Sequence, residues 1–334
     1  MPLLQIRRTA ICMGSAVAIM ALVMSCGHKR PEPVDVQPSI RATGAGRVIT
    51  QLTRDPGSEV NPSLSPDGKT LAYVKTSPGP HGLRAVICAI DPNQASGEVI
   101  YTGENYQSWY PFWMPDKTGL AMVNNSTGRW AVVRTLSNSP GAAIRVIVPG
   151  EVAADIDWCQ VAPDGKRIYF DALMGNARKL AYMSIDGIGL TVIGEGSQPS
   201  LSHDGKLLAF IRVINGYSQI FVTDAENGGN LTQLTRAEKA NSSVPAWSPD
   251  DRWIAFVSTQ GNDTLENAIK GHTQNVMLMG ADGSKLTPVT TGSGDCDWTH
   301  WGSDGRIYFA YKEVIRATFD LWRVELDQAT LGGK

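Results

Sequence analysis

Six copies of one short pattern constrain this chain more than anything else in it. Asn61 to Val74 reads NPSLSPDGKTLAYV: a strand, a tight Pro66-Asp67-Gly68 turn and a second alternating strand. The pattern returns as YPFWMPDKTGLAMV from Tyr110, WCQVAPDGKRIYF from Trp158 and QPSLSHDGKLLAFI from Gln198. It returns again as VPAWSPDDRWIAFV from Val244 and WTHWGSDGRIYFAY from Trp298. The turn aspartates are Asp67, Asp116, Asp164, Asp204, Asp250 and Asp304, spaced by 49, 48, 40, 46 and 54 residues. A period of this length marks a propeller or a solenoid.

Each unit continues beyond its hairpin. Third strands are expected at Ala85–Ile90, Trp130–Thr135, Lys179–Ile185, Gln219–Thr223, Val276–Met279 and Leu321–Leu326. An LT-type strand follows some of them, as in NLTQLT at Asn230 and KLTPVT at Lys285. The last third strand, LWRVEL, has no such follower. RVITQLT, from Arg47 to Thr53, is the spare copy, standing before the first repeat. The two are predicted to pair and close a ring, which removes the open edges of a linear stack. The fold class is therefore all-β: a six-bladed β-propeller of four-stranded antiparallel blades over about residues 47–330. An open solenoid would need capping repeats and would leave the spare strand unexplained.

The SPDGK turn with its alternating strands resembles the PD40, or TolB-type, propeller repeat, over nearly all of residues 47 to 327. Three turns depart from it: Lys117-Thr118-Gly119 follows Asp116, His203 replaces the turn proline, and Asp251 replaces the turn glycine. The G-H and W-D marks of WD40 repeats are absent. TolB carries an additional N-terminal α/β domain for which this sequence shows no counterpart.

Residues 1–25 read as a leader. Arg7 and Arg8 precede an uncharged apolar run from Thr9 to Met24, too short for a spanning helix of about 20 residues. Val23-Met24-Ser25-Cys26 resembles a bacterial lipobox, which implies cleavage before Cys26 and lipid attachment to it. Residues 26–46 hold Pro31, Pro33 and Pro38 and read as a tether that reaches about 60 Å at about 3.1 Å per residue. The expected address is the cell envelope: the periplasmic face of the outer membrane, or the cell surface. Formal net charge is −2, which gives no basic surface for nucleic acid or anionic lipid. Membrane contact is expected through the anchor only, and the chain is expected to be a monomer.

Similar propellers precede the serine-peptidase domain of prolyl oligopeptidases. No G-x-S-x-G nucleophile elbow occurs, and few residues follow the sixth repeat, so no hydrolase domain is expected. Phosphate loops, HExxH and CxxC are also absent. On these grounds the chain is expected to be no enzyme and to need no cofactor. Cys159 and Cys296 sit on opposite blades, too far apart for a disulfide. Cys88 is expected in the core. His203 falls in a turn, and His300 in an inner strand that could face the channel.

Repeats three and six alone carry D-x-D-W: Asp155, Asp157 and Trp158, then Asp295, Asp297 and Trp298. Trp109 and Tyr110 hold the matching place in repeat two. These residues are expected in loops entering the inner strands of opposite blades. Three readings stand. They form a recognition surface with aromatic walls and orienting carboxylates; they hold a hard cation such as Ca²⁺; or they only cap turns and pack between blades. The long second-to-third loop of blade five, Thr259 to Gln274, rises on the same face. The function expected is a protein-binding envelope scaffold, and the alternative is a propeller that binds or acts on carbohydrate.

Overall fold

A computed structural model describes residues 38–79, 82–103, 105–261, 273–327 and 329–332. Cys26, the leader, most of the tether and most of the blade-five loop lie outside the described residues. Six antiparallel sheets of four strands form one ring. Blade one is Ser58–Leu64, Leu71–Gly79, Gly82–Asp91 and Ser96–Ile100. Blade three begins at Ala154–Val161, continues through Arg167–Met174 and Ala177–Ser184, and ends at Thr191–Glu195. In blade six, Asp295–Trp301, Ile307–Lys312 and Asp320–Leu326 are completed by Gly46–Gln51 from the other end of the chain.

The predicted pairing closes the ring, with Ile49 facing Val324, Thr50 facing Arg323 and Gln51 facing Trp322. A second clasp lies just before it. Arg41 and Ala42 pair with Thr291 and Thr290 of the chain leaving blade five. The Ser39 backbone N–H and hydroxyl bond Glu313 of blade six.

The six turns form for one local reason. In each, the aspartate Oδ1 accepts the backbone N–H two residues on, at 2.9 to 3.2 Å. The residue between is left-handed every time, with φ of 71, 62, 70, 72, 57 and 79°. Glycine suits this conformation, but Lys117 and Asp251 stand there in blades two and five. Both reach the preceding blade's turn. Lys117 Nζ lies 3.5 Å from Asp67, and the Asp251 carboxylate accepts the N–H groups of His203 (2.6 Å) and Asp204 (2.9 Å). His203 replaces a proline, which would have no N–H to give. Two departures from the repeat thus complete one another.

The strands alternate between packing faces, and the core lies between neighbouring blades. Tyr73, Leu71, Ile87, Trp113 and Tyr308 of blades one, two and six form one such cluster. Cys88 belongs to it and is fully buried. Trp113 and Trp247 also stitch blades together, each indole N–H donating to the carbonyl of Ser63 or Ser200 in the preceding blade.

Candidate functional site

Every inner strand carries a register shift at the same place. It falls between Val60 and Ser63, Trp109 and Phe112, Ile156 and Cys159, and at the matching points of blades four to six. Six residues before the turn aspartate the backbone is left-handed at Asn61, Tyr110, Gln198, Val244 and Trp298, with φ between 51 and 55°. Blade three differs: its left-handed residue is Asp155, and a further shift separates Ala154 from Ile156. Such bulges re-aim side chains. Here they bend the inner strands around an axial cavity of about 110 Å³, whose walls include Asn61, Tyr110, Phe112, Trp158, Trp298 and His300.

Both D-x-D-W motifs therefore lie inside strands and not in the connecting loops expected from the sequence. Turn-like residues in this stretch reflect the bulge and not a loop. In blade three the aspartates gather on Arg178, which comes from the hairpin after the second strand. Its guanidinium lies 3.1 Å from Asp155, 3.8 Å from Asp157 and 2.5 Å from Asp171. Asp171 was not foreseen. Its side chain is 2% exposed, and its other oxygen accepts the Gln198 N–H of blade four at 2.7 Å. Burial raises the pKa of Asp171 and of Asp157, against the opposing pull of Arg178. The Tyr110 hydroxyl also bonds Asp157. The Tyr110 ring lies 4.8 Å from Trp158 and 6.5 Å from Trp109, which makes a continuous aromatic patch.

In blade six, Lys312 lies 3.6 Å from Asp295. Asp297 turns back and accepts the N–H of the next residue, Trp298, at 2.8 Å. Burial pushes Asp297 up to about 7. Trp298 packs edge-on against Phe319 at 5.1 Å. Each doublet is thus engaged within its own blade. Among the described residues no cluster of three or more His, Cys, Asp or Glu has the arrangement of a metal site. Cys159 and Cys296 are buried and unbridged. His300 lines the cavity, where burial lowers it to about 4 and keeps it neutral.

A second charged group escaped the sequence reading. Glu59 is fully buried at the seam between blades six and one, where the Thr53 hydroxyl donates to it at 3.1 Å. Burial raises it to about 8. Nearby Asp320, bonded by Gln51 at 2.9 Å, is raised to about 6 for the same reason. An acidic residue within a strand of otherwise buried positions was the only available signal.

The ring is a TolB-like six-bladed propeller. It superposes on TolB from Acinetobacter baumannii with a TM-score of 0.61 and 18% identity, over 75% of this chain and 58% of that one. Putative TolB from Agrobacterium tumefaciens gives 0.60 and 19%, over 86% and 99%. A gluconolactonase from Xanthomonas campestris gives 0.62 and 12%, over 89% and 99%. No protein-family model matches the chain. Among curated proteins, an uncharacterised peptidase of Bacillus subtilis, YuxL, is 27% identical over 231 residues, or 66% of this chain. The chain spans about a third of that relative's length (32%).

These likenesses overturn the expectation that the chain is no enzyme. A sequence relative is named a peptidase, and a solved ring of the same architecture is a lactonase. The missing G-x-S-x-G speaks against one hydrolase design within this sequence only, and a propeller fold by itself does not decide whether a chain is catalytic.

Proposed function

We propose that this chain is a lipid-anchored envelope protein whose ring binds a protein partner at the channel mouth where the inner strands begin. One observation carries the reading. Trp109, Tyr110 and Trp158 form a partly exposed aromatic patch directly beside the Asp155–Asp157–Arg178 cluster. Half-buried aromatics next to an arginine are the usual composition of an interface centre. The carbohydrate alternative is less well supported, because an axial cavity of about 110 Å³ is small beside the roughly 300–1,000 Å³ of small-molecule sites. Anchoring through Cys26 would keep this face in the envelope. Any reaction at the mouth is a matter for direct assay against peptides and lactones, the classes named for its relatives.

The test is in-cell photo-crosslinking from position 109 on the full lipidated chain. A single protein should be captured, and Trp158→Ala should reduce its yield at least fivefold. Repeated capture of no specific protein would overturn the reading. Labelled palmitate that failed to enter the chain, or entered a Cys26→Ser variant equally, would separately remove the anchor.

A further inference from the structure

A cleft of about 430 Å³ lies between blades two and three, away from the axis, walled by Arg129, Trp130, Gly150, Glu151, Ala153 and Asp155. Two short connections build it. The hairpin between Leu120–Asn124 and Ala131–Thr135 of blade two brings Arg129 and Trp130. The turn after Ile144–Val148, closed by the Val152 N–H donating to the Pro149 carbonyl at 3.0 Å, brings Gly150 and Glu151. Asp155 enters from the head of blade three's inner strand. It is the left-handed residue, at φ 52°, that sets this blade apart from the other five.

The walls carry both signs of charge. Among the described residues neither Arg129 nor Glu151 makes an ion pair. Asp155 gives Oδ2 to Arg178 at 3.1 Å, and its Oδ1 has no protein partner among the described residues. Exposed charges are ordinarily only hydrated; what distinguishes these is their placement on one cleft around an aromatic ring. Two features fix that placement. Trp130 packs against the core between blades two and three. The Arg129 stem lies against Gly150, where an added Cβ would stand 2.7 Å from the Arg129 Cβ and 2.7 Å from the Trp130 carbonyl oxygen. Only glycine allows that approach, and a stem held this way presents its guanidinium at a lower ordering cost.

We propose that this cleft binds a short peptide with both ends free. Its carboxylate meets Arg129, its ammonium meets Glu151 and the Oδ1 of Asp155, and the chain between them crosses Trp130. The volume falls within the roughly 300–1,000 Å³ of small-molecule sites. A plain anion would meet two carboxylates, and a plain cation would meet Arg129. A neutral sugar would cover three charges and pair none, which costs desolvation without return. A ligand charged oppositely at its two ends satisfies all three, with the guanidinium–carboxylate contact the strongest. The cleft shares only Asp155 with the partner-binding cluster of the mouth, so this inference goes beyond that reading and stands or falls apart from it.

The full chain is titrated by calorimetry with trialanine, with N-acetyl-trialanine, trialanine amide and glucose as comparisons. Trialanine should bind saturably, each blocked form at least fivefold more weakly, and glucose not measurably. Arg129→Gln should abolish the preference for trialanine over its amide and leave the preference over the acetylated form. Glu151→Gln should do the reverse, reducing the preference over the acetylated form at least threefold. Gly150→Ala should weaken trialanine at least threefold by displacing the Arg129 stem. Absence of saturable trialanine binding, equal binding of the blocked forms, or glucose bound as tightly would overturn the inference. Charge variants that weakened all three peptides by the same factor would overturn it too, since that pattern marks a disturbed fold and not recognition of the two ends.

Discussion

Blades three and six carry the same four-letter motif and use it differently. In blade three a guanidinium from the neighbouring hairpin lies within 3.8 Å of three carboxylates and ties the motif to buried Asp171 and on to blade four. In blade six a lysine reaches only the outer aspartate, and the inner one caps the backbone of its own strand. The left-handed residue moves accordingly, from Trp298 in blade six to Asp155 in blade three. The motif does not determine its own chemistry. What the adjacent strand supplies, a forked guanidinium or a single ammonium, decides whether the aspartates are drawn into one knot or engaged separately.

Removing the cation should separate the two blades most sharply. Arg178→Ala leaves Asp171 buried without its cation and should cost about 3–5 kcal/mol in denaturant unfolding. Lys312→Ala, which breaks a partly exposed pair, should cost about 1 kcal/mol or less. Similar losses for both would erase the distinction.

A pH profile comes next. Glu59, Asp297 and Asp320 are held near 8, 7 and 6, all above their unfolded values. Their contribution is full below the unfolded carboxylate range, about pH 4, and is lost as pH rises to about 8. His300, lowered to about 4, works oppositely: its contribution is present above about 6.5 and is lost as pH falls towards 4. These three carboxylates, joined by the likewise raised Asp157 and Asp171 of blade three, outweigh one imidazole and should make the melting temperature fall between pH 5 and 8. Asp297→Asn should flatten that fall up to about pH 7, and Glu59→Gln should flatten it up to about pH 8. A melting temperature that rose over this range would contradict the burial assigned to these groups. The smallest change is expected from Asp155→Asn against Asp295→Asn, both partly exposed, each shifting stability by less than about 1 kcal/mol.

The sequence made the ring legible because its information is local. Asp67 and its five counterparts each build a turn within two residues, and the pairing of RVITQLT with LWRVEL follows from one missing strand and one spare. The bulge was not legible, since a left-handed Tyr110 or Val244 carries no turn-residue signature. Motifs assigned to loops consequently lie in strands. Arg178, Asp171 and Glu59 escaped notice because their meaning depends on partners in other strands. The coupling of His203 to Asp251 escaped for the same reason: two separate irregularities of the repeat become one hydrogen-bonded pair only when blades four and five meet.

The shared sixth blade also sets an order of events. Gly46–Gln51 is made before blade one, yet its partner Asp320–Leu326 is made only after blades one to five. Until then the early strand has an unpaired edge and Glu59 lies at an unsealed seam. Pairing elements this far apart in the chain is intrinsically slow. Circular closure should therefore be the final, rate-limiting step of maturation. A chain stalled before residue 320 would present two complementary open edges, and such edges in neighbouring copies can pair with each other.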